Sequence, residues 1–114
     1  MAEIIPKEIR EYLTVTGRSP FSEWLNSLRD VSGRAKVRIR LDRLRLGNMG
    51  DCKSVGEGVQ ELRIAFGPGY RVYLGQESDS LILLLCGGDK STQSKDIQTA
   101  KNYWQDYKNR KKNT

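Results

Sequence analysis

Four basic residues stand where they could act on a phosphate: Lys53, Arg63, Arg71 and Lys90. Lys53 lies in a glycine-rich stretch, GNMGDCKSVGEG. Arg63 and Arg71 alternate away from apolar neighbours in two strand-like runs, ELRIAF and YRVYL. Lys90 follows the apolar run LILLLC and the sequence Gly-Gly-Asp. The chain has no histidine. If the substrate is RNA, cleavage by the ribose 2′-OH needs a base for that hydroxyl, charge stabilisation of the phosphorane and an acid for the leaving 5′ oxygen. Without histidine, these roles fall to Lys, Tyr, Asp or Glu, with Arg for the charge. A lysine held among other cations is shifted towards its neutral form and becomes a better base. A plainer reading stays open. Spacing alone is satisfied if Arg63 and Arg71 face solvent and pair with Glu61 or Glu77, and if Lys90 only decorates a helix entrance. Tyr73 is placed to stack a base or simply to pack within its strand, and Gln93 falls in the first turn of a helix.

The elements that must position these residues are legible from periodicity. Residues 61–66 place Leu62, Ile64 and Phe66 on one face and Glu61, Arg63 and Ala65 on the other. Gly67-Pro68-Gly69 makes a turn. Tyr70, Val72 and Leu74 then oppose Arg71 and Tyr73, residues 76–80 form a second turn, and residues 81–86 are apolar on both faces, as in a central strand covered on both sides. Gly87-Gly88 ends that strand. A short strand near Lys53 is also possible.

Upstream, residues 7–15 fit a strand or a short helix. Ser19 caps a helix with Pro20 at its first position, and Phe21, Trp24, Leu25 and Leu28 line one face of it. Ser32-Gly33 breaks this helix. KVRIRLDRLRL alternates like a strand, but it exceeds a typical strand length and aligns Val37, Leu41 and Leu44 on one helical stripe, so it is read as a second helix of a hairpin. Ser91 or Thr92 caps a last helix, whose stripe is Ile97, Ala100, Trp104 and Tyr107. The fold class expected is α+β: a small antiparallel sheet, mixed at most, with an N-terminal strand, a helical hairpin, a three-stranded meander and a C-terminal helix.

Composition sets the bounds. The 114 residues, 37% hydrophobic and 30% charged, suit one domain with one small core. The domain spans residues 1–114, with the basic stretch 108–114 expected as a disordered tail. Net charge is +6, and residues 34–45 carry six cations against Asp42, the footprint of a polyanion binder. A solvated basic face or an acidic protein partner would also satisfy this charge. Cys52 and Cys86 lack metal-ligand spacing, so neither a metal nor another cofactor is expected. The absence of a secretory signal or a membrane-length apolar run points to the cytoplasm, with no membrane partner.

ELRIAFGPGYRVYL, followed by LILLLCGGDKSTQSKDIQTAKNYWQDY, resembles the bacterial RelE/HigB-type toxins of type II toxin–antitoxin modules, within the RelE/ParE superfamily and its "addiction module killer protein" branch. The likeness extends to PFSEWLNSL, RIRLDRLRLGN and the G-D-x-K loop of residues 50–53. It implies a toxin that is a metal-independent endoribonuclease, cutting mRNA on the ribosome and inhibiting translation. The implied partners are the ribosome, mRNA and a cognate antitoxin, expected to be of helix-turn-helix type, with operator DNA reached only through that antitoxin. On matching positions, Lys53 is the loop lysine, Arg63 and Arg71 are the strand arginines, and Lys90 is the basic residue after the last strand. Lys53 becomes the base, Arg63 and Arg71 the phosphate clamps, and Lys90 an acid or phosphate ligand. Lys36, Arg40 and Arg43, with Tyr73 and Gln93, would bind RNA. Several relatives use a histidine or tyrosine near the C-terminus; here there is no histidine, and Tyr103 and Tyr107 fall in a helix, so activity must rest on lysine and arginine. A gyrase-inhibiting toxin of the ParE type, or an inactive binding module on the same fold, is the alternative.

Overall fold

The structure, a computed structural model, describes residues 6–113. Its elements run β1 (Glu8–Glu11), α1 (Pro20–Ser27), α2 (Val31–Arg45), β2 (Cys52–Gly56), β3 (Val59–Ile64), β4 (Tyr70–Ser78), β5 (Leu81–Asp89), a 3₁₀ turn (Lys90–Thr92) and α3 (Gln93–Lys112). The strands form one open sheet in the order β1-β5-β4-β3-β2. β1 pairs parallel with β5, and every other pairing is antiparallel. The fold is therefore α+β with a mixed sheet. The meander has four strands rather than three, because the stretch around Lys53 pairs with β3.

Alternation along the strands divides the core in two. Leu62, Ile64, Tyr70, Val72, Leu74, Ile82 and Leu84 face the hairpin, where Phe21, Leu25, Val37, Leu41 and Leu44 meet them. Val59, Tyr73, Leu83, Leu85 and Cys86 face α3 and its stripe of Ala100 and Trp104. A register shift sets Tyr73 opposite Cys86 but Leu74 opposite Leu84. This bulge turns both Leu85 and Cys86 towards α3, which a regular strand would not do.

Three boundaries differ from those expected. α2 begins at Val31, not beyond Ser32-Gly33, because Asp30 caps it: its carboxylate accepts from the Gly33 amide at 3.0 Å and from the Tyr70 hydroxyl at 3.1 Å. β4 and β5 run on to Ser78 and Asp89. Gly87, which looks like a strand end, instead makes room for the Trp24 ring, and Gly75 does the same for Trp104. A Cβ on Gly75 would stand 2.4 Å from the Trp104 ring. Gly75→Ala is expected to cost about 1–3 kcal/mol through this overpacking, read as a lower urea midpoint at unchanged slope.

Residues 108–112, expected within a disordered tail, are instead the last turns of α3. Arg110 pairs with Asp106 at 2.7 Å one turn back, Lys111 pairs with Glu77, and the Lys108 ammonium lies 5.8 Å from the Trp104 ring. Cations in a final helical turn also complement the helix dipole. Among the described residues, no helix is long and apolar enough to cross a membrane.

Candidate functional site

The sheet register aligns the candidate residues in two adjacent rows. Lys53 is opposite Glu61, Glu61 opposite Tyr73, and Tyr73 opposite Cys86. In the next row Arg63 is opposite Arg71, and Arg71 opposite Gly88. Directly paired residues project to the same face, so both rows open on the side that α3 covers. The helix reaches only part of this surface, and Gln93 at its first position touches the rows.

Glu61 organises them. It is completely buried (0% exposed), and its two oxygens are divided among four side chains. Arg63 donates through Nε to Oε1 at 2.9 Å. Gln93 Nε2 and the Tyr73 hydroxyl donate to Oε2 at 2.9 and 3.1 Å, and Arg71 Nε approaches the same oxygen at 3.6 Å. Burial pushes the Glu61 carboxyl up. The bonds from Arg63, Gln93 and Tyr73, with the charge of Arg71, outweigh that push and leave it below the usual carboxylate range. Glu61 is thus an anion held by three hydrogen bonds, a state that unsuits it for general-base work.

The consequence for the arginines is geometric. Arg63 is held by its Nε alone, and its side chain is 35% exposed. Both terminal nitrogens are therefore free to present a planar fork to an oxyanion, the arrangement in which guanidinium recognises phosphate best. Arg71 is more enclosed, with a side chain 10% exposed and Nη1 donating to the Gly69 carbonyl at 2.6 Å. Gly69, at φ +80°, is where the chain turns back: a Cβ there would lie 3.0 Å from Arg71 Nη1 and 3.5 Å from Lys90 Cβ. This backbone keeps Arg71 and Lys90 side by side. Lys90 and Lys53 are both exposed, at opposite margins of the rows.

Lys53, Arg63 and Arg71 therefore share one surface around Glu61, and Lys90 lies past the end of β5, next to Gly69. The pairing of Arg63 and Arg71 with Glu61 also holds, but it is an interior arrangement rather than a solvated one. Tyr73 must be corrected. Its ring is fully buried against α3 and offers no face to a base. Burial first, then the Glu61 charge and hydrogen bond, hold its phenol strongly protonated, so it serves as a donor that fixes Glu61. Gln93 has a similar supporting place. Glu61 itself was visible in the sequence only as a possible ion-pair partner. The available signal was a carboxylate two residues before Arg63, on the same face of a strand flanked by other strands.

Of the α2 cations, Arg40 is partly structural, donating to the Met49 carbonyl at 2.8 Å and so pinning the loop that leads to Asp51 and Lys53. Lys36, Arg40 and Arg43 line a groove of about 340 Å³ whose opposite wall includes Arg63. The expected RNA-binding cations of the hairpin thereby adjoin the sheet cluster. A larger cavity, about 480 Å³, lies between β1 and α3 and shares no lining residue with either.

Other chemistries find little here. No three His, Cys, Asp or Glu side chains gather as metal ligands among the described residues. Cys86 is buried and its thiol is pushed up to about 12, chiefly by burial, which makes it a packing residue rather than a nucleophile. Tyr103 stacks on Tyr12 at 4.8 Å and Tyr107 on Trp104 at 5.6 Å, so both are committed to the α3 interface.

Fold and site together define a small α+β domain with a cationic sheet face built on a buried carboxylate. No known protein-family profile matches the chain. It is 54% identical, over 81 residues, to a Haemophilus influenzae protein named only as an uncharacterized protein; the match covers 71% of this chain and 82% of that one. The chain belongs to the same family as that protein.

Proposed function

We propose that the protein is a RelE/HigB-type toxin of a type II toxin–antitoxin module, acting in the bacterial cytoplasm as a metal-independent endoribonuclease on ribosome-bound mRNA. The observation that carries this reading is the gathering of Lys53, Arg63 and Arg71 around Glu61, with Lys90 past the end of β5 next to Gly69, at the positions the family resemblance assigns to the chemistry. In the reaction the 2′ oxygen attacks the adjacent phosphorus, and the bond to the 5′ oxygen breaks. The products are a 2′,3′-cyclic phosphate and a free 5′-OH. Lys53 takes the 2′ proton. Arg63 and Arg71 neutralise the charge that develops on the non-bridging oxygens. Lys90, beside Arg71, gives a proton to the leaving oxygen or holds the phosphate. A cognate antitoxin, of helix-turn-helix type, would silence the toxin and carry it to operator DNA.

The test is in-vitro translation with purified protein, following both peptide synthesis and mRNA length. Translation should stop as the message is cut. Growth arrest on induction with intact mRNA and accumulated gyrase–DNA adducts would instead assign the protein to the ParE-like branch. Harmless expression would leave a binding module on the same fold.

A further inference from the structure

We infer that the groove between α2 and the end of β3 is a nucleotide subsite for single-stranded RNA, in which a base stacks on Phe66 while flanking phosphates lie against Lys36, Arg43 and Arg63. The inference rests on the reading above and names how the substrate strand leaves the chemistry. β2 begins at Cys52, opposite Leu62, so β3 runs on without a neighbouring strand on this side after the Arg63 amide bonds to the Asp51 carbonyl. The exposed margin and α2 enclose the groove. Its floor is apolar, with Ile39, Ala65 and Phe66, and Ile39 is 47% exposed. Four cations rim it against one carboxylate, Asp51.

An apolar floor within a cationic rim suits a ligand with a flat apolar face and anionic groups beside it, which is what a nucleotide offers. Phe66 is only partly buried, and the exposed Lys36 ammonium lies over its ring, 5.6 Å from the centre, so a stacking base would take the place of this cation on the ring and leave it to pair with a flanking phosphate. The volume, about 340 Å³, is at the small end for ligand pockets and does not suit a helix of a protein partner. Arg63 belongs both to this wall and to the Glu61 cluster. A nucleotide in the groove would therefore be adjacent to the phosphate under attack.

The probe is a fluorescein-labelled RNA hexanucleotide with 2′-O-methyl riboses throughout, which cannot be cut, with each base removed in turn. Binding is read by fluorescence anisotropy. At one position, loss of the base should weaken wild-type binding about tenfold, as stacking on an aromatic ring does. The same abasic probe should bind Phe66→Leu no worse than the full probe does. Phe66→Leu keeps an apolar side chain on the hairpin core, and its folding is checked by circular dichroism. Replacing Lys36 and Arg43 together by alanine should reduce the salt slope by roughly 1.4, about 0.7 for each lost phosphate contact. Base dependence that survives in Phe66→Leu, or no base dependence at any position, overturns the subsite. So does an oligo-glutamate peptide that binds through Phe66 where the RNA shows no base dependence, since the groove would then take an acidic protein segment. A base-dependent, Phe66-dependent affinity in a protein that leaves mRNA whole would retain the subsite and reject the nuclease.

Discussion

Glu61→Gln should be the most destabilising single change in the site. Glutamine nearly matches the shape of glutamate, so little packing is lost. It removes the one negative charge that faces Arg63 and Arg71 and leaves the enclosed Arg71 guanidinium without a counter-ion. Breaking a buried pair from one side typically costs about 3–5 kcal/mol. Against a total stability of roughly 5–15 kcal/mol for a domain, that is a large share. The effect should depend on pH. The Glu61 carboxyl lies below its usual range in the folded protein. Its contribution is therefore fully present above the unfolded value, near 4.3, and is lost as pH falls through the folded value. The gap in unfolding free energy between wild type and Glu61→Gln should be constant at neutral pH and narrow as the solution becomes more acid than about pH 4. Adding Arg71→Met to Glu61→Gln should recover part of the loss, because the charge left unpaired is removed with its partner. Denaturant titrations of wild type, Glu61→Gln, Arg71→Met and the double variant measure the cycle. A Glu61→Gln protein as stable as wild type would show that the carboxylate does not organise the arginines.

Arg63→Lys should have the largest effect on activity. Lysine preserves the charge but is a single point of attachment, whereas the anchored guanidinium offers two coplanar donors. Losing one well-placed donor to a developing oxyanion commonly lowers a rate by about 10²–10³, and that is the loss expected in the rate of mRNA cleavage. The 35% exposed side chain at the site's mouth fills no core position, so the variant should retain its circular dichroism spectrum and bind its antitoxin. If Arg63→Lys cuts at more than half the wild-type rate, the residue contributes charge only, and the forked geometry is not what the reaction uses.

Much of this architecture is legible in the residues. The stripes of α1, α2 and α3 follow from apolar spacing, because each helix buries one face against the sheet, and the alternation in β3 and β4 sorts their side chains between the two cores. The misplaced boundaries share a cause: a residue with a strong local preference serves a distant side chain instead. Gly33 reads as a helix breaker but lies in the capped first turn of α2, and Gly87 reads as a strand end but receives Trp24. The candidate cations were found by type and strand phase. Their meeting was not legible, since strand order and the Lys53–Glu61 register depend on long-range pairing. Tyr73 shows the limit of phase reasoning: it shares a face with Arg71, yet α3 covers its ring and leaves the arginine at the edge. The helical state of residues 108–112 was hidden for a similar reason, since Glu77, which holds Lys111, lies on a distant strand.

The central claim is that this cation cluster cuts RNA by attack of the ribose 2′ oxygen. The most direct measurement is to give purified protein translating ribosomes programmed with mRNA, map the new 5′ ends, and repeat with a single 2′-deoxy nucleotide at the mapped position. The account predicts discrete cuts with 5′-OH and 2′,3′-cyclic phosphate ends, lost with the single 2′-deoxy sugar and lost with Arg63→Ala. Full-length mRNA on ribosomes exposed to a protein that still arrests growth, or cutting that is indifferent to the 2′-OH, would contradict it.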